Sequence, residues 1–127
     1  MQENPWFKFA EEDLKAAEAV FREKIYNQVC FHCQQAAEKL LKGYLSLQKR
    51  DIPKTHFLNE LLDQCVSLDK IFAELSNSCT KLDIYYIPTR YPDALPGSLP
   101  EGLPNEKDAQ EALTLASEIK KFVEDRI

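Results

Sequence analysis

Residues 26–49 read YNQVCFHCQQAAEKLLKGYLSLQK, and their apolar side chains recur at spacings of three and four. This spacing places them on one side of a helix. The apolar stripe consists of Tyr26, Val29, Cys30, Cys33, Ala37, Leu40, Tyr44 and Leu47. Most of the other residues in the segment are good helix formers. We therefore predict one long helix over residues 26–49, the longest in the chain.

Four more helices are predicted around this segment. Asn4 followed by Pro5 is a strong helix start, so the first helix is expected over residues 5–24. Its predicted core stripe is Trp6, Phe9, Ala10, Leu14, Ala17, Phe21 and Ile25. Thr55 is expected to cap a third helix, residues 71–86 to form a fourth, and Asn105 to begin a fifth. No segment has the alternation of apolar and polar residues that is typical of a strand. The sequence therefore predicts an all-α bundle of four to five helices.

Five of the seven prolines lie at positions 88, 92, 96, 100 and 104. Their spacing matches neither collagen nor a polyproline recognition motif, and it predicts an extended, stiffened loop over residues 88–104. A loop of this length is usually functional or disordered. Two alternatives remain open, a loop packed at a working or subunit surface and a mobile one.

The overall composition bounds the class of protein. With 127 residues and 44% hydrophobic content, the chain fits one domain over residues 1–127 with a core of its own. The net charge of −5 argues against a protein that coats nucleic acid generally. Residues 1–6 show neither a basic leader nor a hydrophobic run, and no long apolar segment follows. We expect a cytoplasmic protein that does not associate with membranes.

Four cysteines without a secretory signal indicate reduced thiols. Cys30 and Cys33 form a Cys-x-x-Cys pair, but Cys65 and Cys79 are too far apart to complete a zinc site, and a redox pair needs a strand–helix junction. We therefore expect buried, inert cysteines and no metal. Conventional catalytic sets and phosphate loops are absent as well, so no catalytic residue and no cofactor is predicted.

Positive charge gathers in one part of this acidic chain. Residues 38–56 contain Lys39, Lys42, Lys49, Arg50 and Lys54 against two acidic residues. Helical geometry places the first three on a face shared with Gln35, and His56 follows at the predicted start of the third helix. Such a patch can hold phosphate groups, with His56 as an anion ligand. The alternatives are a solvated helix face and a histidine that only caps its helix.

A second candidate segment is residues 85–93, YYIPTRYPD. Arg90 lies between two prolines and beside Tyr91, a combination suited to phosphate binding and base stacking. The alternative is an ion pair of Arg90 with Asp93 that fixes a turn, with the tyrosines packed as core and rim.

Three ordered motifs, CQQAAEKLLK at 33–42, IPKTH at 52–56 and TRYPD at 89–93, closely resemble those of HEPN domains, and Asp13 in the first helix also fits. The resemblance covers about residues 5–125. It implies an up-and-down helical bundle that usually dimerises. Similar proteins are encoded beside minimal nucleotidyltransferases, as toxin–antitoxin pairs or as substrate-binding partners of those enzymes.

Some HEPN proteins are metal-independent ribonucleases that use an arginine followed shortly by a histidine. Arg90 stands where that arginine is expected, but no histidine follows it in this chain. Without that histidine, the proton-transfer half of RNA cleavage has no obvious donor. The resemblance therefore implies a homodimeric binding protein rather than an enzyme.

Three hypotheses follow. The first is a protein that binds nucleotide or RNA phosphate and acts with a nucleotidyltransferase. Its predicted ligand-binding residues are Lys39, Lys42, Lys54, His56, Arg90, Tyr91 and Asp93. The second is a ribonuclease toxin with a degenerate motif, in which His56 or a tyrosine carries the proton. The third is a purely structural dimer.

Overall fold

The computed structural model describes residues 4–86 and 104–127. These residues form five α-helices and one 3-10 helix, with no strand among them, so the predicted all-α bundle is confirmed. The elements are α1 Pro5–Arg22, α2 Tyr26–Leu47, α3 Leu58–Leu68, the 3-10 helix Lys70–Leu75, α4 Ser76–Asp83 and α5 Glu106–Glu124. The predictions for the proline-rich loop, apart from Pro104, and for Arg90, Tyr91 and Asp93 lie outside the described residues.

Helix α2 is the centre of the bundle and packs against α1, α3, α4 and α5. The short connection from α1 makes these two helices an antiparallel hairpin. Most of α2 is buried, including Leu40, Leu41 and Leu45. None of the helices in the described part of the chain is long and apolar enough to cross a lipid bilayer.

The predicted starts of the first and last helices are confirmed. The side chain of Asn4 accepts a hydrogen bond from the backbone N–H of Trp6 at 2.9 Å, with Pro5 in the first turn. Before α5, Asn105 and Asp108 each accept a hydrogen bond from the other's backbone N–H, at 2.9 and 3.0 Å. This capping box satisfies two backbone donors at once.

The predicted core stripe of α1 is partly wrong. Phe9 and Ile25 are exposed, whereas Phe7, outside the predicted stripe, is fully buried. The reason lies on α2, where Gly43 has no side chain and the ring of Phe7 occupies the space. Periodicity alone does not show that a neighbouring helix offers such a space.

Just after each of the helices α1 and α2, a lysine adopts the left-handed backbone conformation. Lys24 has φ 61° and Lys49 has φ 57°. After α1, the N–H of Ile25 bonds to the carbonyl of Val20 at 2.9 Å, the arrangement of a Schellman motif. The N–H of Arg50 makes the equivalent bond after α2, to the carbonyl of Leu45 at 3.1 Å.

The single fourth helix predicted over residues 71–86 is wrong, because the structure has a 3-10 helix followed by α4. Asp69 starts the 3-10 helix by accepting a hydrogen bond from the N–H of Ile71 at 3.2 Å. Residues three apart align on one side of a 3-10 helix. Phe72 and Leu75 have this spacing, and both are buried. The tighter helix thus directs both side chains into the core.

Candidate functional site

A row of polar side chains runs along α2 and is covered by residues from three other parts of the chain. We call it the polar row; its members are His32, Gln34, Gln35, Glu38, Lys39 and Lys42. Asp13 reaches it from α1, His56 from the α2–α3 connection and Asp83 from the end of α4. The amide of Gln35 links the row internally, since it donates to Gln34 at 2.8 Å and to Glu38 at 3.2 Å.

Glu38 and Lys42 form a buried ion pair. Their side chains are only 5% and 8% exposed, and the ammonium lies 2.9 Å from Glu38 Oε2. The ring of Trp6 lies 5.6 Å from the same ammonium. The prediction that Lys42 belongs to an exposed basic face is therefore wrong, because α1 covers it and Glu38 compensates its charge. Its role as a phosphate ligand remains a prediction that requires this pair to open.

Asp13 from α1 pairs with Lys39, and its carboxylate lies 3.3 Å from His32 Nδ1. Partial burial by itself raises the pKa of Asp13. The hydrogen bonds and positive charges of His32 and Lys39 outweigh this effect and hold its pKa below the ordinary value. Lys39 therefore has a carboxylate partner of its own, and the positive charge predicted for this face of α2 is largely neutralised.

His56 is held by three different contacts. Its Nδ1 lies 3.3 and 3.2 Å from the two oxygens of Glu38, and its ring stacks on Tyr86 with centroids 5.2 Å apart. Its backbone carbonyl accepts a hydrogen bond from Gln34 at 2.7 Å. The side chain is nevertheless 53% exposed. The structure thus presents a firmly oriented imidazole at the surface.

The turn that carries His56 is fixed from α4. The carboxylate of Asp83 accepts hydrogen bonds from the backbone N–H of Leu58 at 2.7 Å and of Asn59 at 3.1 Å. Burial raises the pKa of Asp83, although these bonds oppose the shift. The prediction that Thr55 caps the third helix is wrong, because Asp83 provides the cap. The hydroxyl of Thr55 accepts only from the N–H of Phe57, at 3.1 Å.

Aromatic rings surround Tyr86 at this end of the bundle. Phe57 meets it edge to face with centroids 5.7 Å apart, and Phe31 lies 6.4 Å away. The side chain of Phe57 is 41% exposed. Together with His56, these rings form what we call the aromatic surface: Phe31, His56, Phe57 and Tyr86. Flat exposed rings are suited to stacking on a base.

Three basic side chains in the α2–α3 connection have no carboxylate partner among the described residues. Lys49, Arg50 and Lys54 are exposed, and no acidic group of residues 4–86 or 104–127 forms an ion pair with them. Lys54 precedes His56 closely in sequence. The basic patch predicted over residues 38–56 is thus reduced in the structure to this connection.

The cysteines show no sign of reactivity. All four are free and buried, as predicted, and burial raises the pKa of Cys33, Cys65 and Cys79 to about 12. Burial raises the pKa of Cys30 further. No group of histidine, cysteine, aspartate or glutamate side chains in the described ranges is arranged to hold a metal ion.

The sequence did not predict that three further residues belong to the candidate site: Gln34, Glu38 and Asp83. Glu38 and Lys42 could have been paired from their spacing of four, which brings side chains together on a helix. The contacts of Gln34 and Asp83 join residues 22 to 49 positions apart in the chain. No local pattern reports such contacts.

Solved structures and a curated protein resemble this chain over nearly its whole length. A protein of Thermus thermophilus, TT1696, superposes with a TM-score of 0.82 and 33% identity, covering 99% of this chain and 98% of its own. An archaeal HEPN homologue, ST0689, gives 0.74 and 34%, covering 95% and 93%. A protein of Methanocaldococcus jannaschii named "Putative toxin MJ1304" is 28% identical over 94% of this chain and 84% of its own length.

The family model for the HEPN domain matches residues 4–126, which include the polar row and the aromatic surface. The resemblance seen in the three sequence motifs is thereby confirmed. This chain belongs to the HEPN domain family.

Proposed function

We propose that this protein binds a nucleotide or RNA phosphate and works as the HEPN member of a toxin–antitoxin pair whose other member is a minimal nucleotidyltransferase. The relative named as a toxin supports the toxin–antitoxin setting. The nucleotidyltransferase partner is what the HEPN resemblance implies. We further propose that the protein acts as a homodimer in the cytoplasm.

The observation that carries the binding proposal is that an exposed, unpaired lysine and two members of the aromatic surface lie in one short connection. Lys54 lies in the α2–α3 connection with His56 and Phe57, and His56 stacks on Tyr86. Cations that lack carboxylate partners attract phosphate, while exposed rings accept the face of a base. A mononucleotide or a single-stranded RNA carries both groups.

The residues predicted to bind phosphate differ in their exposure and in the partners they already have, so the proposal gives them different roles. Lys54 is exposed and has no acidic partner among the described residues, so it is assigned the main phosphate contact. Lys39 and Lys42 are bound to Asp13 and Glu38, and in this proposal they mainly hold the site together. Arg90, with Tyr91 and Asp93, stays in the proposal on the strength of its sequence motif.

Binding is tested with a short fluorescein-labelled single-stranded RNA, by anisotropy, at several salt concentrations. We expect Lys54→Glu to weaken binding about tenfold or more and to reduce the salt dependence, because a phosphate contact is replaced by repulsion. The matched control is Lys70→Glu, the same charge change at an exposed position on the 3-10 helix. Equal affinity of both variants, or no binding by the wild type, would reject the phosphate site.

The partnership is tested by expressing the protein in a bacterial host with and without a minimal nucleotidyltransferase encoded beside it. We expect slowed growth when the protein is expressed alone, relief on co-expression, and recovery of both chains as one complex. Light scattering after size exclusion measures whether the isolated protein is a homodimer. Unaffected growth together with separate elution of the two chains would reject the toxin–antitoxin role.

A second candidate function, a metal-independent ribonuclease, is favoured by one specific observation. The imidazole of His56 is oriented by a buried carboxylate, an arrangement that positions a histidine for proton transfer. The test is incubation of end-labelled RNA in chelator with the wild type, Arg90→Ala and His56→Ala. Cleavage by the wild type that both substitutions abolish would support this function, and intact RNA throughout would reject it.

A further inference from the structure

The contacts of Glu38 determine which nitrogen of His56 carries a hydrogen. Glu38 Oε2 accepts from the ammonium of Lys42 at 2.9 Å, and Oε1 accepts from the amide of Gln35 at 3.2 Å. A carboxylate held in this way is an acceptor only. His56 Nδ1, within 3.3 Å of both oxygens, must therefore donate. In the neutral imidazole the hydrogen sits on Nδ1.

The opposite ring nitrogen then has a defined chemical character. In the neutral ring with hydrogen on Nδ1, Nε2 is a hydrogen-bond acceptor. Nε2 lies on the edge of the ring away from Glu38, and the side chain is about half exposed. In the described part of the structure Nε2 has no hydrogen-bond partner. The site therefore offers an oriented acceptor that is complementary to a donor on a ligand.

The hydrogen-bond donors of a nucleotide are the N–H groups of its base and its ribose hydroxyls. Phosphate oxygens are acceptors, so a neutral His56 does not match them, and the base is expected to stack on the aromatic surface. The ribose hydroxyls donate, and the 2′-hydroxyl is the group that separates RNA from DNA. We propose that His56, positioned by Glu38, accepts a hydrogen bond from the ribose 2′-hydroxyl of the bound ligand, so that this site selects ribonucleotides over deoxyribonucleotides.

This inference rests on the proposed binding function and gives two of its residues separate roles. Lys54 would attract phosphate whatever the sugar, whereas His56 would read the sugar. Glu38 acts through His56 and is a positioning residue. Gln34 holds the backbone of His56 from a fully buried position, which keeps the acceptor in one place.

The experiment compares a short single-stranded RNA with an oligonucleotide of the same sequence in which every 2′-hydroxyl is replaced by fluorine. Fluorine keeps the sugar pucker but removes the donor. At neutral pH we expect the wild type to bind the RNA about three- to tenfold more tightly, the range of one hydrogen bond.

Three variants locate the effect. His56→Ala should bring the ratio of the two affinities close to one, because the acceptor for the 2′-hydroxyl is gone; any stacking of the base on His56 is lost for both strands alike. Glu38→Gln should lower the ratio. The matched control is His32→Ala, which removes another histidine with a carboxylate partner, and it should leave the ratio unchanged. Circular dichroism and thermal melts establish that each variant is folded; if Glu38→Gln is not, His56→Ala remains decisive.

The outcomes separate this inference from the proposed function. Equal binding of both strands by the wild type overturns the inference and leaves the phosphate site intact. A ratio that His56→Ala leaves unchanged also overturns it, because another group would then distinguish the two sugars. Failure of the wild type to bind either strand rejects the proposed function itself.

Discussion

The ring of Phe7 in α1 occupies the place that a side chain at Gly43 in α2 would need. A Cβ added to Gly43 would come within 2.8 Å of Phe7 Cζ and within 2.9 Å of Cε1. Cβ atoms do not approach other carbons this closely, so one of the two groups would have to move. The contact joins the hairpin of α1 and α2 next to the buried Lys42.

Gly43→Ala is expected to destabilise the protein. Alanine favours a helix over glycine by about 1 kcal/mol, whereas forcing a methyl group into a filled core costs about 1–3 kcal/mol. Because Phe7 is fully buried, we expect the second effect to be larger. Urea denaturation measures the difference. In a double-mutant cycle, Phe7→Leu should reduce the cost, and a gain in stability from Gly43→Ala alone would contradict this picture.

Lys24→Gly is expected to stabilise the protein. Lys24 has φ 61°, a region that costs a residue with a side chain about 1 kcal/mol and costs glycine little. The greater freedom of glycine in the unfolded chain offsets part of the gain, so we expect a net increase of about 0.5 kcal/mol or slightly more. Thermal melts of Lys24→Gly and of the control Lys8→Gly, within α1, should shift in opposite directions.

Asp83→Ala is expected to destabilise the protein by about 1–2 kcal/mol, because two backbone N–H groups at the start of α3 lose their acceptor. Removal of Asp83 should also loosen the turn that carries His56, so binding of RNA should weaken in a folded variant. The control is Asp63→Ala, an exposed position within α3. If urea denaturation gave equal stability for the two variants, the cap from α4 would contribute nothing.

The fold follows largely from local sequence, and the exceptions have physical causes. The start signals at Asn4, Pro5 and Asn105, the apolar stripe of α2 and the helical class are all read from neighbouring residues. The 3-10 helix, the exposed Phe9 and the buried Phe7 depend on how helices pack against each other. Packing involves residues that are distant in sequence. The spacing of apolar residues at three and four positions therefore does not predict it.

The electrostatics of the candidate site could not be predicted from the sequence. The candidate site overlaps the segment from Glu38 to His56 that the sequence singled out, and its role as a binding site stays a prediction. From the sequence, every lysine of this segment is expected to be free to bind phosphate. In the structure, Lys39 is paired with Asp13 and Lys42 with Glu38. Asp13 lies on another helix, so its pairing required the fold. Within residues 38–56, the counted positive charge stays exposed in the α2–α3 connection, at Lys49, Arg50 and Lys54.

The stability of the protein should fall in acid partly through Asp13. Its folded pKa lies below the ordinary value of 3.8, so the ionised form is favoured in the folded state. This contribution is fully present above the unfolded pKa and is lost as pH falls from there through the folded pKa. We expect urea denaturation across this range to show a smaller decline for Asp13→Asn than for the wild type. The control Glu12→Gln, an exposed neighbour, should decline as the wild type does.

Glu38→Ala is expected to be among the most damaging single changes in the described part of the chain. It leaves the ammonium of Lys42 buried without its carboxylate, and an unpaired buried charge costs about 3–5 kcal/mol. Lys42→Met should cost less, since the hydrocarbon of methionine still packs under Trp6 and Glu38 keeps its contacts with Gln35 and His56. The double variant Glu38→Leu with Lys42→Met should recover much of the stability lost in Glu38→Ala, because no buried charge remains. Urea denaturation of the three proteins measures this order.

The double variant should nevertheless bind RNA without preference for ribose, because His56 has lost the group that orients it. Retained preference would mean that Glu38 contributes only to the stability of the fold.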